Sequence, residues 1–381
     1  MPKETAVQKV IDVVEDFSCP YQTAAYQDAF RSWRRKKQNP YAFRFTKNPK
    51  ETAFSESQAI VGLSPAQEEQ NVLHRMGRLI GYALIIYLVI ENLIDKLAVL
   101  LMQFMHLHIE LVFSGESRLF GDEQLVFWLT FSIQFFKYLI PALMIQFVLR
   151  LPVQVSLPLN IRKPQKLLSG ISLIMLISVG LGIFSIPMSA DLEKYRLISE
   201  MRNAEGNRLM FYLLMTIFLL PLTMELLLHG CMFQALRQFG DNFAILATAI
   251  LAAALTHNLF DALRIGLIHL VISYYLVHTG SFWSAVFLRI VHEIYLFVLF
   301  CLETSDSRAS LEWWAVLLIP CILCIGIGIY SFLHRHSIRK SPQNMTYLKL
   351  SEKLEAFLTS MPMVAFLVCS VLLLVITAML A

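Results

Sequence analysis

Glu225 and His229 stand four residues apart in "MELLLHG" (Met224–Gly230), within a stretch otherwise made of apolar residues. That spacing is one helical turn, so the two side chains share a helix face. Further along come His257, followed by Asn258, and then His292 and Glu293, again in apolar surroundings. An ionised group at the centre of a membrane helix costs about 2.5–3.5 kcal/mol on insertion scales, so such groups turn inward and find partners. A lone intramembrane histidine is usually a hydrogen-bonded core residue; three on neighbouring segments with a glutamate point to a site. Two kinds of chemistry suit them. A carboxylate bonded to imidazole can deprotonate a trapped water while another histidine meets a developing oxyanion, as peptide hydrolysis requires. Equally, Glu225, His229, His257 and His292 are plausible ligands for zinc. Spacing leaves both open.

Glu91, Asn92, Asp95 and Lys96 form a second polar group, near the middle of the first apolar segment. Glu91 and Asp95 sit at i, i+4 and share a face, with Lys96 close enough to offset them in part. The segment reads either as one straight span or as a short helix followed by an interfacial one. Pro221 lacks an amide hydrogen and should kink the helix that carries Glu225 and His229.

The elements that must position these residues are membrane helices. Of 381 residues, 56% are hydrophobic and 16% charged, and the mean hydropathy is +0.58. The apolar residues fall in blocks of roughly 20, the length that crosses a bilayer core. The blocks lie at about 79–104, 125–149, 167–187, 209–236, 242–260, 262–278, 281–301, 312–333 and 362–380. The expected fold is an all-α polytopic membrane bundle of about nine transmembrane helices. Basic residues at Arg31–Lys37, Arg150 to Lys166 and Arg335 to Lys340 belong on the cytoplasmic side, which puts the N-terminus in the cytosol and the C-terminus opposite. The acidic loops at Glu110–Glu123 and Glu303–Asp306 fall on the other side. A multi-pass protein of the plasma membrane is the expectation.

Residues 1–75 read as a polar N-terminal region whose basic cluster, "RSWRRKKQ" (Arg31–Gln38), is a solvated cytosolic tail or a segment lying on an anionic leaflet. Residues 76–207 form the N-terminal transmembrane helices, 208–301 the core that carries the motifs, and 302–381 the C-terminal helices with a basic loop. The second half of "RKSPQNMTYLKLSEKLEAF" reads as an interfacial helix. A net charge of +4, dispersed along the chain, excludes nucleic acid as a partner. Cys321 and Cys324 form a CxxC pattern inside an apolar helix, where it means packing rather than redox or zinc chemistry.

From Met224 to Phe297, about one fifth of the 381 residues, the chain resembles the CPBP family of intramembrane endopeptidases, the CAAX-processing and bacteriocin-processing (Abi) proteases. That family carries E-E-x-x-x-R-G, then F-x-x-x-H, then H-x-x-x-N/D. The counterparts here are Met224-Glu225-Leu226-Leu227-Leu228-His229-Gly230, Ala253-Ala254-Leu255-Thr256-His257 and His292-Glu293-Ile294-Tyr295-Leu296, with a T-G-S turn at Thr279–Ser281 between the last two. The resemblance implies an endopeptidase acting on a prenylated or transmembrane peptide, with Glu225, His257 and His292 as the catalytic residues that match. In the family, the first glutamate and the second motif's histidine activate the water, and the third motif's histidine and asparagine stabilise the oxyanion.

Four positions depart from the pattern. Met224 stands where the activating glutamate belongs, His229 replaces the arginine, Ala253 the phenylalanine and Leu296 the asparagine. A thioether cannot take up a proton. Glu225 points about 100° away from position 224 on a helix, so it is no direct substitute. Three readings stay open: a protease whose carboxylate is supplied by Glu225, Glu91 or Asp95; a catalytically impaired relative that binds a membrane segment or partner; or a metal-binding protein serving transport or metal-assisted hydrolysis. No cofactor is required by the first two, and zinc suits the third.

Overall fold

The computed structural model describes residues 19, 21–36, 39–44, 64–106, 109–114, 116–121, 123–161, 164–185, 210–211, 213–303, 311–333 and 346–380. The described helices are α1 (Ala24–Arg35), α2 (Pro65–Val89), α3 (Asp95–Phe104), α4 (Glu123–Leu149), α5 (Val153–Ser156) and α6 (Gln165–Ser185). They continue with α7 (Met215–Phe239), α8 (Asp241–Ala254), α9 (Leu259–Thr279), α10 (Phe282–Glu303), α11 (Leu311–Leu333), α12 (Leu350–Leu358) and α13 (Met361–Leu380). A hairpin of two short antiparallel strands, β1 (Ile109–Ser114) and β2 (Glu116–Gly121), pairs Ile109 with Gly121 in a stretch expected to be a plain acidic loop.

The all-helical expectation holds for the bundle. Among the described residues, five helices are long and apolar enough to cross a membrane: Phe127–Leu149, Met215–Phe239, Leu259–Thr279, Phe282–Leu299 and Met361–Met379. The expected count of about nine goes beyond this. The apolar portions of α6, α8 and α11 are shorter, and the first expected span is interrupted. That interruption is a π-helical turn, Ile90–Ile94, between α2 and α3. The Asn92 amide donates to the Leu88 carbonyl at 3.0 Å, so a side chain competes for a backbone acceptor and loosens the helical ladder there. Beyond the turn α3 is largely outward-facing, with Leu100 and Phe104 exposed.

α7 has two π-helical stretches, Met215–Leu219 and Leu226–Met232. Pro221 has no amide hydrogen to offer the carbonyl one turn before it, which accounts for the first. α2 starts on a capping box in which Ser64 and Gln67 exchange side-chain-to-backbone bonds, with Pro65 in the first turn. Its Gly77 and Gly81 let it approach the α12–α13 joint; a Cβ on Gly81 would lie 2.5 Å from the Met363 amide nitrogen. α8 is alanine-rich, and its buried Ala244, Ala247 and Ala252 pack in the same core as Ile265, Ile268 and Ile272 of α9.

Residues 21–36 and 39–44 are packed on the bundle rather than forming a solvated tail. α1 buries Tyr26, Phe30, Trp33 and Arg34, and Trp33 donates its indole hydrogen to the Leu149 carbonyl at the end of α4, 2.8 Å away. Phe43 N donates to Gln238 Oε1 at 2.8 Å, and the Tyr26 hydroxyl to Gln234 Oε1 at 2.8 Å, both on α7. Burial lowers the Arg34 guanidinium to about 10 and raises the Cys19 thiol to about 11. The same end of the bundle receives Lys353 of α12, which donates to the Phe239 carbonyl at 2.6 Å. The helix expected in the second half of "RKSPQNMTYLKLSEKLEAF" is α12, and it packs on α2.

Candidate functional site

Among the described residues, the motif residues fall in two polar clusters, each anchored on a π-helical turn. Such turns widen the helix and re-aim side chains, and they recur at functional sites.

The first cluster centres on Glu91. Its Oε1 accepts from Lys137 Nζ of α4 at 2.7 Å and from the Tyr87 hydroxyl at 2.9 Å, while its Oε2 faces His257 Nε2 at 2.8 Å. The side chains of Glu91, Lys137 and His257 are 17%, 5% and 24% exposed, so the ion pair is sheltered while the histidine opens outward. Lys137 also lies 5.3 Å from the Tyr87 ring and 5.2 Å from the Tyr138 ring. His257 reaches this position because α8 stops short. Its 14 residues span about 21 Å against a hydrocarbon core of about 30 Å. Residues 255–258 are then non-helical before Asn258 caps α9 by accepting from the Phe260 amide at 2.9 Å. Non-helical backbone at membrane depth survives where protein buries it or where it lines a watered cavity.

The second cluster is fully buried. His229 Nδ1 faces Glu225 Oε2 in a short contact, and His229 Nε2 lies 2.8 Å from Ser273 Oγ of α9. His269, also on α9, places Nδ1 3.7 Å from Glu225 Oε1 and its ring nearly parallel to that of His229, centroids 5.3 Å apart. Glu225, His229, His269 and Ser273 are all 0% exposed. His292 of α10 pairs its Nδ1 with Ser178 Oγ of α6 at 2.8 Å, and it lies within electrostatic range of His269. Glu293 is bound to Arg289 at 2.7 Å on the same helix.

The structure therefore divides the residues that the sequence grouped together. Glu225 and His229 meet, as their spacing requires. His257 pairs instead with Glu91, and His292 with Ser178. Met224 is buried at 6% exposure, and Leu296 lies in an apolar cluster with Val179, Tyr295 and Leu299. His269 and Lys137 escaped notice in the sequence. Each is an ionisable residue in the middle of an apolar segment, the same signal that singled out Glu225.

Five helices of membrane-crossing length among the described residues mark an integral membrane protein with buried ionisable groups between its helices. Within it, residues 206–295 match the family described as Type II CAAX prenyl endopeptidase Rce1-like. The match includes the histidines of both clusters but not Tyr87, Glu91, Lys137, Tyr138 or Ser178, and it agrees with the resemblance carried by the three motifs. No curated protein and no solved structure matches the chain.

Proposed function

We propose that this protein is a CAAX-type intramembrane endopeptidase in which Glu91 serves in place of the carboxylate missing at Met224. The observation that carries this reading is the 2.8 Å contact between Glu91 Oε2 and His257 Nε2, since His257 stands at the second motif's histidine. With Nε2–H donated to the carboxylate, Nδ1 carries the lone pair, and it is buried without a hydrogen-bond partner. A water bound to Nδ1 would satisfy it and be the nucleophile, with His257 as its general base and Glu91 fixing the tautomer and stabilising the imidazolium. Lys137 balances the charge of Glu91, so the imidazolium forms beside a compensated pair rather than a bare carboxylate.

His292, held by Ser178 in the other cluster, is not given the third motif's oxyanion role in this reading. Glu225 takes no step in the reaction. The substrate class is a prenylated peptide, the chemistry named by the family description, which would enter through the apolar surroundings of α3 and the opening at His257. The basic end that binds α1 is the cytosolic one, and the plasma membrane is the proposed location. The 208–301 region is the catalytic core, completed by Glu91 and Lys137 from outside it.

The reading is tested with purified protein in detergent and a farnesylated peptide ending in C-a-a-X, followed by mass spectrometry. Wild type should cleave, and His257→Gln should lower the rate by at least about 100-fold, the scale of lost general-base catalysis, with unchanged helical content. A wild-type protein that leaves the peptide intact would instead support the impaired relative.

A further inference from the structure

We infer that Glu225, His229 and His269 form a zinc site in the interior of the bundle, distinct from the Glu91–His257 pair. The three residues each offer one ligand atom, and these atoms lie within 4.8 Å of one another. All three side chains are 0% exposed. The second observation is what the site lacks: neither nitrogen of His269 makes a hydrogen bond, and neither does Glu225 Oε1. A buried imidazole with both nitrogens unspent is a donor in search of an acceptor, because buried polar groups are otherwise almost always bonded. Both unspent groups face each other, His269 Nδ1 to Glu225 Oε1 at 3.7 Å.

The arrangement has the features of a metal site beyond its ligands. His229 turns Nδ1 toward Glu225 and is held from behind by Ser273 Oγ at Nε2, 2.8 Å away. A ligating histidine ordinarily anchors its other ring nitrogen in this manner, which fixes ring and tautomer. Two imidazoles and one carboxylate are borderline-to-hard donors that suit Zn²⁺, leaving a fourth position for water or another group. The widened helical turn Leu226–Met232 carries His229 toward α9, so the ligands come from two helices, and the metal would clamp α7 to α9. Of the three, only Glu225 matches the family's motifs: His229 stands where the family has arginine, and His269 lies outside all three. The site is therefore a property of this chain.

The test uses metal binding rather than peptide cleavage, so its outcome does not depend on the peptidase reading. Full-length protein in detergent is stripped with a chelator, then titrated with Zn²⁺ and with Co²⁺. Bound metal is measured by elemental analysis after gel filtration, and the visible bands of four-coordinate Co²⁺ report the geometry. Wild type should take up one ion per chain. His269→Gln and Glu225→Gln should take up none, and Ser273→Ala, which keeps every ligand, should bind about 10–100-fold more weakly. His257→Gln should bind as wild type does. A wild-type protein that binds no metal, a His269→Gln protein that binds normally while eluting as wild type, or metal lost on His257→Gln would each overturn the assignment. The Ser273→Ala variant keeps the test decisive where a ligand substitution unfolds the chain.

Discussion

Replacing Lys137 by Met leaves Glu91 with its charge but without its cation. Removing one partner of a buried ion pair costs about 3–5 kcal/mol because the other charge remains desolvated. Two features reduce that here. Glu91 keeps its contacts with the Tyr87 hydroxyl and with His257, at 2.9 and 2.8 Å, and its side chain is 17% exposed. The expected cost of Lys137→Met is therefore roughly 2–3 kcal/mol. Glu91→Gln alone takes the carboxylate away from an ammonium at 5% exposure and should cost a similar amount. The double variant, Glu91→Gln with Lys137→Met, removes both charges and should come within about 1 kcal/mol of wild type. For a chain of this length each kcal/mol moves a melting midpoint by roughly 2 °C. Each single variant should thus melt about 4–6 °C lower and the double about 2 °C lower, at one scan rate in one detergent, because unfolding of such proteins is commonly irreversible. A Lys137→Met protein as stable as wild type, or a double variant as unstable as the singles, would refute the ion pair.

Gly81→Leu should destabilise by about 3 kcal/mol or more, because its Cβ would meet backbone of the α12–α13 joint that cannot yield. Gly180→Ala, where nothing lies within 4 Å, should melt with wild type in the same assay. The Cys19 thiol, raised to about 11 by burial, stays protonated and shielded at pH 8, so maleimide should label it only after unfolding. Labelling of Cys19 in the native protein at a free-thiol rate would mean that α1 is not packed on the bundle.

Helix positions were legible in the sequence because the apolar blocks are long and their edges carry the loop charges. Glu225 and His229 were paired correctly by the i, i+4 rule. What the sequence hid was the depth and phase of particular side chains. The π-helical turn at Ile90–Ile94 adds a residue to the turn and rotates everything after it, so a rule of 3.6 residues per turn cannot place Glu91 against Lys137 and His257. The early end of α8 was hidden too, since "LAAAL" remains apolar past the point where the helix stops; the reading of a span over 242–260 followed from that. His269 was overlooked for a different reason. It carries no motif, and its importance lies only in which face of α9 meets Glu225. Charge dominates the composition of the basic N-terminal segment and points to a solvated tail or one lying on a leaflet, yet Tyr26, Phe30, Trp33 and Arg34 all turn inward.

The most direct test of the account is the peptidase rate of the Glu91→Gln/Lys137→Met double variant. Both charges are removed together and neither is left buried alone, so stability is largely preserved and loss of activity cannot be assigned to unfolding. If the Glu91–His257 pair activates the water, wild type cleaves the farnesylated peptide and the folded double variant is slower by at least about 100-fold. A double variant that melts within a few degrees of wild type and cleaves at the wild-type rate would contradict the account.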